Sequence, residues 1–309
     1  MKSGSNLEKV LTAGHFAVTG ECGPPRSADD KVVRHKARFL KGHVDSVNVT
    51  DNQTSVVRMS SLAASLILLQ EGLEPNMQMV CRDRNRIAMQ SDILGAYALG
   101  IRNLLCLSGD HQKFGDHPAS KNVFDLDSLQ LIQTVKQMRD ERKLLSGQEM
   151  EAGSEPRLFI GAAANPFADP FEFRVHRLAK KAAAGVDFVQ TQCIYNMDKF
   201  REFMKRAVDL GLTEKVKILA GVTPMKSLGM ARYMKNFVPG MDVPDKIIDR
   251  VKGADKKSQA KVGMDIAVEQ IQEFKEMSGV AGVHLMLIEW EEKVPEITKA
   301  AGLLPRPQV

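Results

Sequence analysis

The chain has 309 residues, 43% hydrophobic and 26% charged, with a formal net charge of +5 and only 6% aromatic residues. This is an ordinary globular composition, long enough to bury a sizeable core without disulfides. The mild positive excess and sparse aromatics exclude a nucleic-acid binder, and the excess weakly suits an anionic ligand. The densest apolar run, residues 62–69, is too short for a membrane span and contains Ser65. The first residues lack the apolar core of a signal peptide, and Cys22, Cys81, Cys106 and Cys193 show no C-x-x-C spacing, so a reducing, cytoplasmic setting is expected.

In chain order, short β-rich runs alternate with longer helical patterns. Strands are expected at residues 16–21, 44–50, 77–82, 103–108, 158–163, 188–194, 216–222 and 283–288. Near-continuous apolar runs such as Leu104-Leu105-Cys106-Leu107 read as strands covered on both faces of a parallel sheet. Helices are expected at 28–40, 56–71, 86–99, 126–142, 171–184, 197–210, 225–237 and 294–300, with extra ones near 245–252 and 257–277. In the last of these, Val262, Ile266, Ile271 and Phe274 keep one face. Eight βα units in series predict a (β/α)8 TIM barrel with extra helices before the eighth strand, occupying residues 1–309 as one domain. A doubly wound sheet is the alternative, disfavoured because no G-x-G-x-x-G follows any strand.

Barrel active sites gather at the C-terminal strand ends. There the sequence places Glu21, stopped by Gly23-Pro24-Pro25, then Asn48, Thr50 and Asn52, Arg82 and Asp83, Ser108 and Asp110, Asn165, Gln190 and Gln192, and Thr223 and Lys226. Glu21 is a general-acid candidate, because a carboxylate in a stiff turn at a strand mouth is well placed to deliver a proton. Two carboxylates and several amides suit a hydrogen-bonding heterocycle rather than a metal cage, since the histidines mostly sit off the strand ends. Cys22, Cys81 and Cys193 either converge at the mouth or are packed free thiols, the commoner case. The loop 111–117 reads equally as a phosphate holder or a solvated loop. The cluster Lys252, Lys256, Lys257 and Lys261 reads as a solvated face.

Four motifs taken together resemble the methylenetetrahydrofolate reductase family, in its acetogen-like branch: Gly20-Glu21-Cys22-Gly23-Pro24-Pro25-Arg26, Leu107-Ser108-Gly109-Asp110, Ala183-Ala184-Gly185-Val186-Asp187 and Thr191-Gln192. The resemblance implies a flavin, FAD or FMN in its place, and reduction of 5,10-methylenetetrahydrofolate to 5-methyltetrahydrofolate. It implies Glu21 as general acid, Asp110 beside pterin and flavin, and Gln192 on the pterin. It implies Thr50, Gln78, Ser108, Gly109, Asp110, Phe124, Asn165 and Lys181 around the flavin, and Leu228 at the position of an aromatic that holds the nicotinamide dinucleotide. The chain departs from the family where Gln78 replaces a histidine, Ser108 an arginine and Leu228 the aromatic, and no aromatic stands near Asn165. These departures point to electrons from a zinc or iron–sulfur partner subunit rather than directly from NAD(P)H, and hence to a homo- or hetero-oligomer. The competing readings are a flavin-free pterin or corrinoid methyltransferase barrel and a non-catalytic subunit of a redox complex.

Overall fold

The computed structural model describes residues 1–238 and 240–309. Its eight strands are β1 (Ala17–Cys22), β2 (Ser46–Val49), β3 (Pro75–Val80), β4 (Asn103–Leu107), β5 (Phe159–Ala164), β6 (Phe188–Cys193), β7 (Lys217–Val222) and β8 (Val280–Leu285). They pair in parallel and in sequence order, and β8 returns to β1 to close the barrel. Closure rules out the doubly wound sheet. The helices are α1 (Asn6–Thr12), α2 (Lys31–Leu40), α3 (Ser61–Gln70), α4 (Arg86–Ala98), α5 (Ser128–Asp140), α6 (Phe173–Ala184), α7 (Met197–Asp209), α8 (Leu212–Lys215), α9 (Leu228–Phe237), α10 (Asp245–Lys252), α11 (Gln259–Glu276) and α12 (Val294–Ala300). The extra helices before the eighth strand are thus α10 and α11.

The main core lies between strands and helices. Val18, Cys22, Val47, Met79, Leu104 and Ile160 point outward from the barrel and join Val33, Leu40, Leu68 and Ile93 of the surrounding helices. A second cluster fills the lower barrel: Ala17, Leu105, Phe159, Phe188 and Leu219 meet Leu7, Val10 and Leu11 of α1. Sequence reading missed this seven-residue helix, which closes the N-terminal end of the barrel. Ser5 caps it by accepting from the Glu8 amide, and the Glu74 carboxylate accepts from the amides of Asn6 and Leu7. An acceptor at a helix N-terminus satisfies donors that the helix itself leaves unpaired. Each fully buried leucine or valine in the plug contributes about 1.5–3 kcal/mol.

Two boundary shifts matter for the site. The eighth strand runs Val280–Leu285, three residues earlier than expected. A Cβ on Gly282 would stand 2.3 Å from the Ala17 carbonyl oxygen, so glycine there lets β8 approach β1 closely, and a strand-weakening residue is required by packing. The third strand likewise begins two residues earlier, at Pro75. Helix α3 starts at Ser61, not near 56, because residues 52, 54 and 55 take positive φ and Ser60 caps the helix by accepting from the Ala63 amide.

Candidate active site

Strand alternation decides which side chains meet inside the barrel. Above the apolar plug lies a layer of polar groups with few apolar neighbours in reach. The Thr19 hydroxyl sits 2.9 Å from Nδ1 of His284 and accepts from Nε2 of Gln190 at 3.0 Å. Asn48 donates to Oε1 of Gln190 at 2.5 Å, Gln190 donates back to Oδ1 of Asn48 at 3.1 Å, and Asn76 donates to the same oxygen at 2.8 Å. On the other side, Nε2 of His284 faces Oε2 of Glu21 at 3.7 Å, with the two side chains 4% and 11% exposed. Nδ1 of His284 thus faces the Thr19 hydroxyl, and Nε2 faces both the Glu21 carboxylate and, at 3.5 Å, the Asn48 amide.

His284 was missed in the sequence because the eighth strand was placed at 283–288, which put this histidine at the strand's start. In the observed register it is the second-to-last residue of β8, at the mouth of the barrel. A polar residue between Val283 and Leu285 in an alternating run was the signal available.

Two adjoining cavities open at this mouth. The first, of about 410 Å³, is lined by Glu21, Asn48, Gln190, Gln192 and His284 on one side and by Asn165, Arg174, Arg177 and Lys181 on the other. The second, of about 280 Å³, holds Thr50, Gly109 and Asp110. Glu21, Gln78, Leu107 and Ser108 line both, so Glu21 stands at their seam. The structure therefore brings Glu21 and Asp110 to one cavity.

The first cavity ends in cations. Arg174, Arg177 and Lys181 lie one turn apart along α6, and none is ion-paired among the described residues. Lys181 donates to the Ala163 carbonyl oxygen at 2.5 Å. Burial of its ammonium, and next the charge of Arg177, push its pKa down from 10.5 to about 8. Arg174 and Arg177 escaped the sequence reading, although helical spacing from Lys181 signals a shared face. In the second cavity, the Thr50 hydroxyl oxygen is buried without a hydrogen-bond partner. Such an atom costs on the order of 1–3 kcal/mol unless a ligand engages it. Gln192 uses Oε1 to accept from the Cys193 amide, leaving its NH2 for a ligand; a register shift between Gln190 and Cys193 marks a bulge, a common device for re-aiming side chains beside a site. Asn165 lines the first cavity, but its Oδ1 accepts from the amides of Phe167 and Ala168, which shapes its own turn.

Phe124 and Leu228 line neither cavity. Phe124 is 41% exposed, at φ 42°, with its amide bonded to the Cys81 carbonyl. Leu228 starts α9, where its amide donates to Gln259 and its side chain packs against the cluster of Tyr195, Met225 and Ile266. Loop 111–117 also stays outside the cavities. Asp116 within it bonds Arg26 and His117, and His111 caps its own turn. In the lysine cluster, Lys261 pairs with Asp265 one turn away at an exposed position.

The cysteines do not converge at the mouth. Cys22, Cys81 and Cys106 pack in the outer core, and Cys193 packs beside Tyr195 and Met225. Burial pushes the thiols of Cys22, Cys81 and Cys193 up to about 12, as expected of packed thiols. Among the described residues no group of three or more His, Cys, Asp or Glu side chains is placed to hold a metal, and no helix is long and apolar enough to cross a membrane.

Comparison with known proteins agrees with this geometry. Residues 6–302 match a family model described as methylenetetrahydrofolate reductase. A probable methylenetetrahydrofolate reductase (NADPH) of Caenorhabditis elegans is 23% identical over 258 residues, which make up 82% of this chain and 36% of that protein. The 5,10-methylenetetrahydrofolate reductase of Pectobacterium carotovorum is 22% identical over 303 residues, 94% of this chain and 92% of that one. The chain thus spans a little over a third of the length of the nematode relative and nearly all of the bacterial one. A solved Clostridium thermocellum protein, described as uncharacterized and as binding two copies of 5-methyl-5,6,7,8-tetrahydrofolic acid, shares the fold with a TM-score of 0.65 at 13% identity, across 97% of this chain and 99% of that one. A family model that runs from α1 to just past α12 encloses the whole barrel and both cavities at its mouth, and the chain belongs to the methylenetetrahydrofolate reductase family.

Proposed function

We propose that the chain reduces 5,10-methylenetetrahydrofolate to 5-methyltetrahydrofolate with a flavin held beside the pterin. The observation that carries this reading is Glu21 at the seam of two adjoining cavities, backed by His284 and facing an unpaired cationic wall. The residues present fit a flavin. Arg177 and Lys181 supply charge for its phosphate, Thr50 offers an orphaned hydroxyl to its ring system, and Gln78 and Ser108 line both spaces. FAD is the form the family favours, with FMN in its place as the smaller option. When bound, the flavin supplies the hydride that turns the methylene carbon into a methyl group.

The proton chemistry belongs to the chain itself. Glu21 delivers a proton to one nitrogen of the cyclic aminal, that carbon–nitrogen bond breaks, and the methylene carbon remains on the other nitrogen as an iminium. Glu21 is then a carboxylate, with Nε2 of His284 beside it. Asp110, across the second cavity, places negative charge where positive charge develops. The NH2 of Gln192 donates to the pterin. Electrons come from a partner redox subunit: Leu228 lies outside the cavities, where an aromatic would otherwise hold a nicotinamide.

The purified chain should be yellow, with a flavin released on denaturation. After anaerobic reduction with dithionite, mixing with methylenetetrahydrofolate should restore the oxidised spectrum, and Glu21→Gln should block that step while the flavin stays reducible. Rapid bleaching by NADH alone would sink the partner-donor part.

A second reading, a flavin-free pterin barrel, is favoured by one observation. The two cavities adjoin and share Glu21, and the Clostridium thermocellum protein of the same fold is described as holding two copies of one folate. A colourless chain that binds two equivalents of 5-methyltetrahydrofolate by calorimetry would establish it in place of the first.

A further inference from the structure

Arg82 is 3% exposed, yet it carries a charge and lines the second cavity. Its guanidinium is fully engaged. Nε and Nη2 donate to the Asp83 carboxylate at 2.7 and 2.6 Å, Nη1 donates to the Ser55 hydroxyl at 2.7 Å and to the Asp110 carbonyl at 3.0 Å, and Nη2 reaches the Asn52 carbonyl at 3.3 Å. One side chain therefore joins the loops that follow β2, β3 and β4.

The loop after β2 would not rest in this shape unaided. Asn52, Thr54 and Ser55 have φ of 43°, 56° and 59°, a region that a β-branched threonine strongly disfavours. Two features hold it. The Ser55 hydroxyl donates to the Asp110 carbonyl at 2.8 Å while accepting from Arg82. Gly115 lies so close that a Cβ there would stand 1.8 Å from the Ser55 carbonyl oxygen. The contact of residues 55 and 115 and the contact of residues 55 and 110 are two ends of one knot tied through Arg82.

We propose that Arg82 is a positioning residue for Asp110. By fixing the Asp110 carbonyl and the strained loop beside it, it sets where the Asp110 carboxylate stands in the second cavity. The inference rests on the function proposed above. It concerns turnover rather than ligand capture, because Gln192, the group proposed to hold the pterin, belongs to another strand. A misplacement of about 1 Å in a reacting group costs on the order of 10²-fold in rate.

The test measures kcat for methylenetetrahydrofolate reduction and the Kd of 5-methyltetrahydrofolate in three variants. Arg82→Ala should lose about 10²-fold in kcat with Kd within roughly threefold of wild type, and added low guanidinium should restore at least about tenfold. Gly115→Ala unties the same knot without touching Arg82 or Asp110 and should copy the kcat loss, without guanidinium rescue. Ser55→Ala, which removes one link, should fall between. Wild-type kcat in Gly115→Ala, or a loss in Arg82→Ala that appears in Kd and ignores guanidinium, overturns the proposal. If the wild-type chain neither binds nor reduces the folate, the proposed function fails separately. Amide hydrogen exchange at residues 110–116 then decides the knot: faster exchange in Arg82→Ala supports it, and unchanged exchange overturns it.

Discussion

The two sides of the barrel mouth differ in how complete they are without a ligand. On the side of β1, β2, β6 and β8, Thr19, Asn48, Gln190 and His284 bond one another, and His284 stands 3.7 Å from Glu21. On the side of β4, β5 and α6, Arg174, Arg177 and Lys181 lack acidic partners among the described residues, and the unpartnered Thr50 hydroxyl, just past β2, is the exception on the first side. A finished hydrogen-bond network is what proton delivery needs, because an acid must be aimed before substrate arrives. Unpaired cations and an orphaned hydroxyl are what ligand capture leaves behind, since the ligand is their missing partner.

On this contrast, substitutions at Glu21 and in the network beside it change rate or stability, and substitutions of the three cations change affinity. The largest effect is expected at Glu21. Glu21→Gln keeps shape and size but cannot deliver the proton, so kcat should fall by about 10³-fold while the Kd of 5-methyltetrahydrofolate barely moves. A large Kd change with kcat intact would place Glu21 among the binding groups instead. Next comes His284. In His284→Leu the Thr19 hydroxyl and the Asn48 amide lose a buried neighbour, and urea unfolding should show a loss of roughly 1–3 kcal/mol together with slower turnover.

Lys181→Met should weaken binding of an anionic, phosphate-bearing ligand about tenfold, with no loss of stability at neutral pH, because it removes a charge that burial penalises. The pH dependence sharpens the point. In the folded chain the Lys181 pKa is lowered from 10.5 to about 8. Below about 8 its ammonium is charged both folded and unfolded, so wild-type affinity for the anion should be flat there. Above about 8 the folded chain loses that proton, and affinity should fall by about tenfold in all before levelling off. For stability the sign is opposite: the lowered pKa disfavours the charged form in the folded state, and that penalty is relieved as pH rises from about 8 toward 10.5. Lys181→Met should remove both dependences, and a steep loss of affinity above pH 8 that persists in this variant would implicate another group. The smallest effect belongs to Lys261→Ala, at an exposed pair with Asp265, where urea unfolding should change by less than about 0.5 kcal/mol.

Much of this molecule was legible in advance, and the reason is local. Parallel strands covered on both faces leave near-continuous apolar runs, and the helices between them keep one apolar face, so the eight βα units and the extra helices α10 and α11 could be read in order. Glu21, Asp110 and Gln192 could be placed at the mouth because each sits at or just past a strand end, whereas Lys181, inside α6, entered only through the family resemblance. Helix α1 was not, because seven residues carry too little periodicity and it is stable only against the floor of the barrel. His284 was hidden by Gly282, which pattern reading takes as a strand breaker and which closure of β8 on β1 requires.

The sequence by itself therefore determined the alternation of strands and helices, the closed count of eight, and the presence of a glutamate at the first strand's mouth, since these depend on periodicity and on residues adjacent in the chain. Only the tertiary structure decided that His284 stands behind Glu21, that three cations line the opposite wall of the same cavity, and that Arg82 ties the loops around Asp110. Those arrangements depend on register and on contacts between residues far apart in the chain, and a shift of one residue in β1 or β8 would turn Glu21 or His284 to the opposite face.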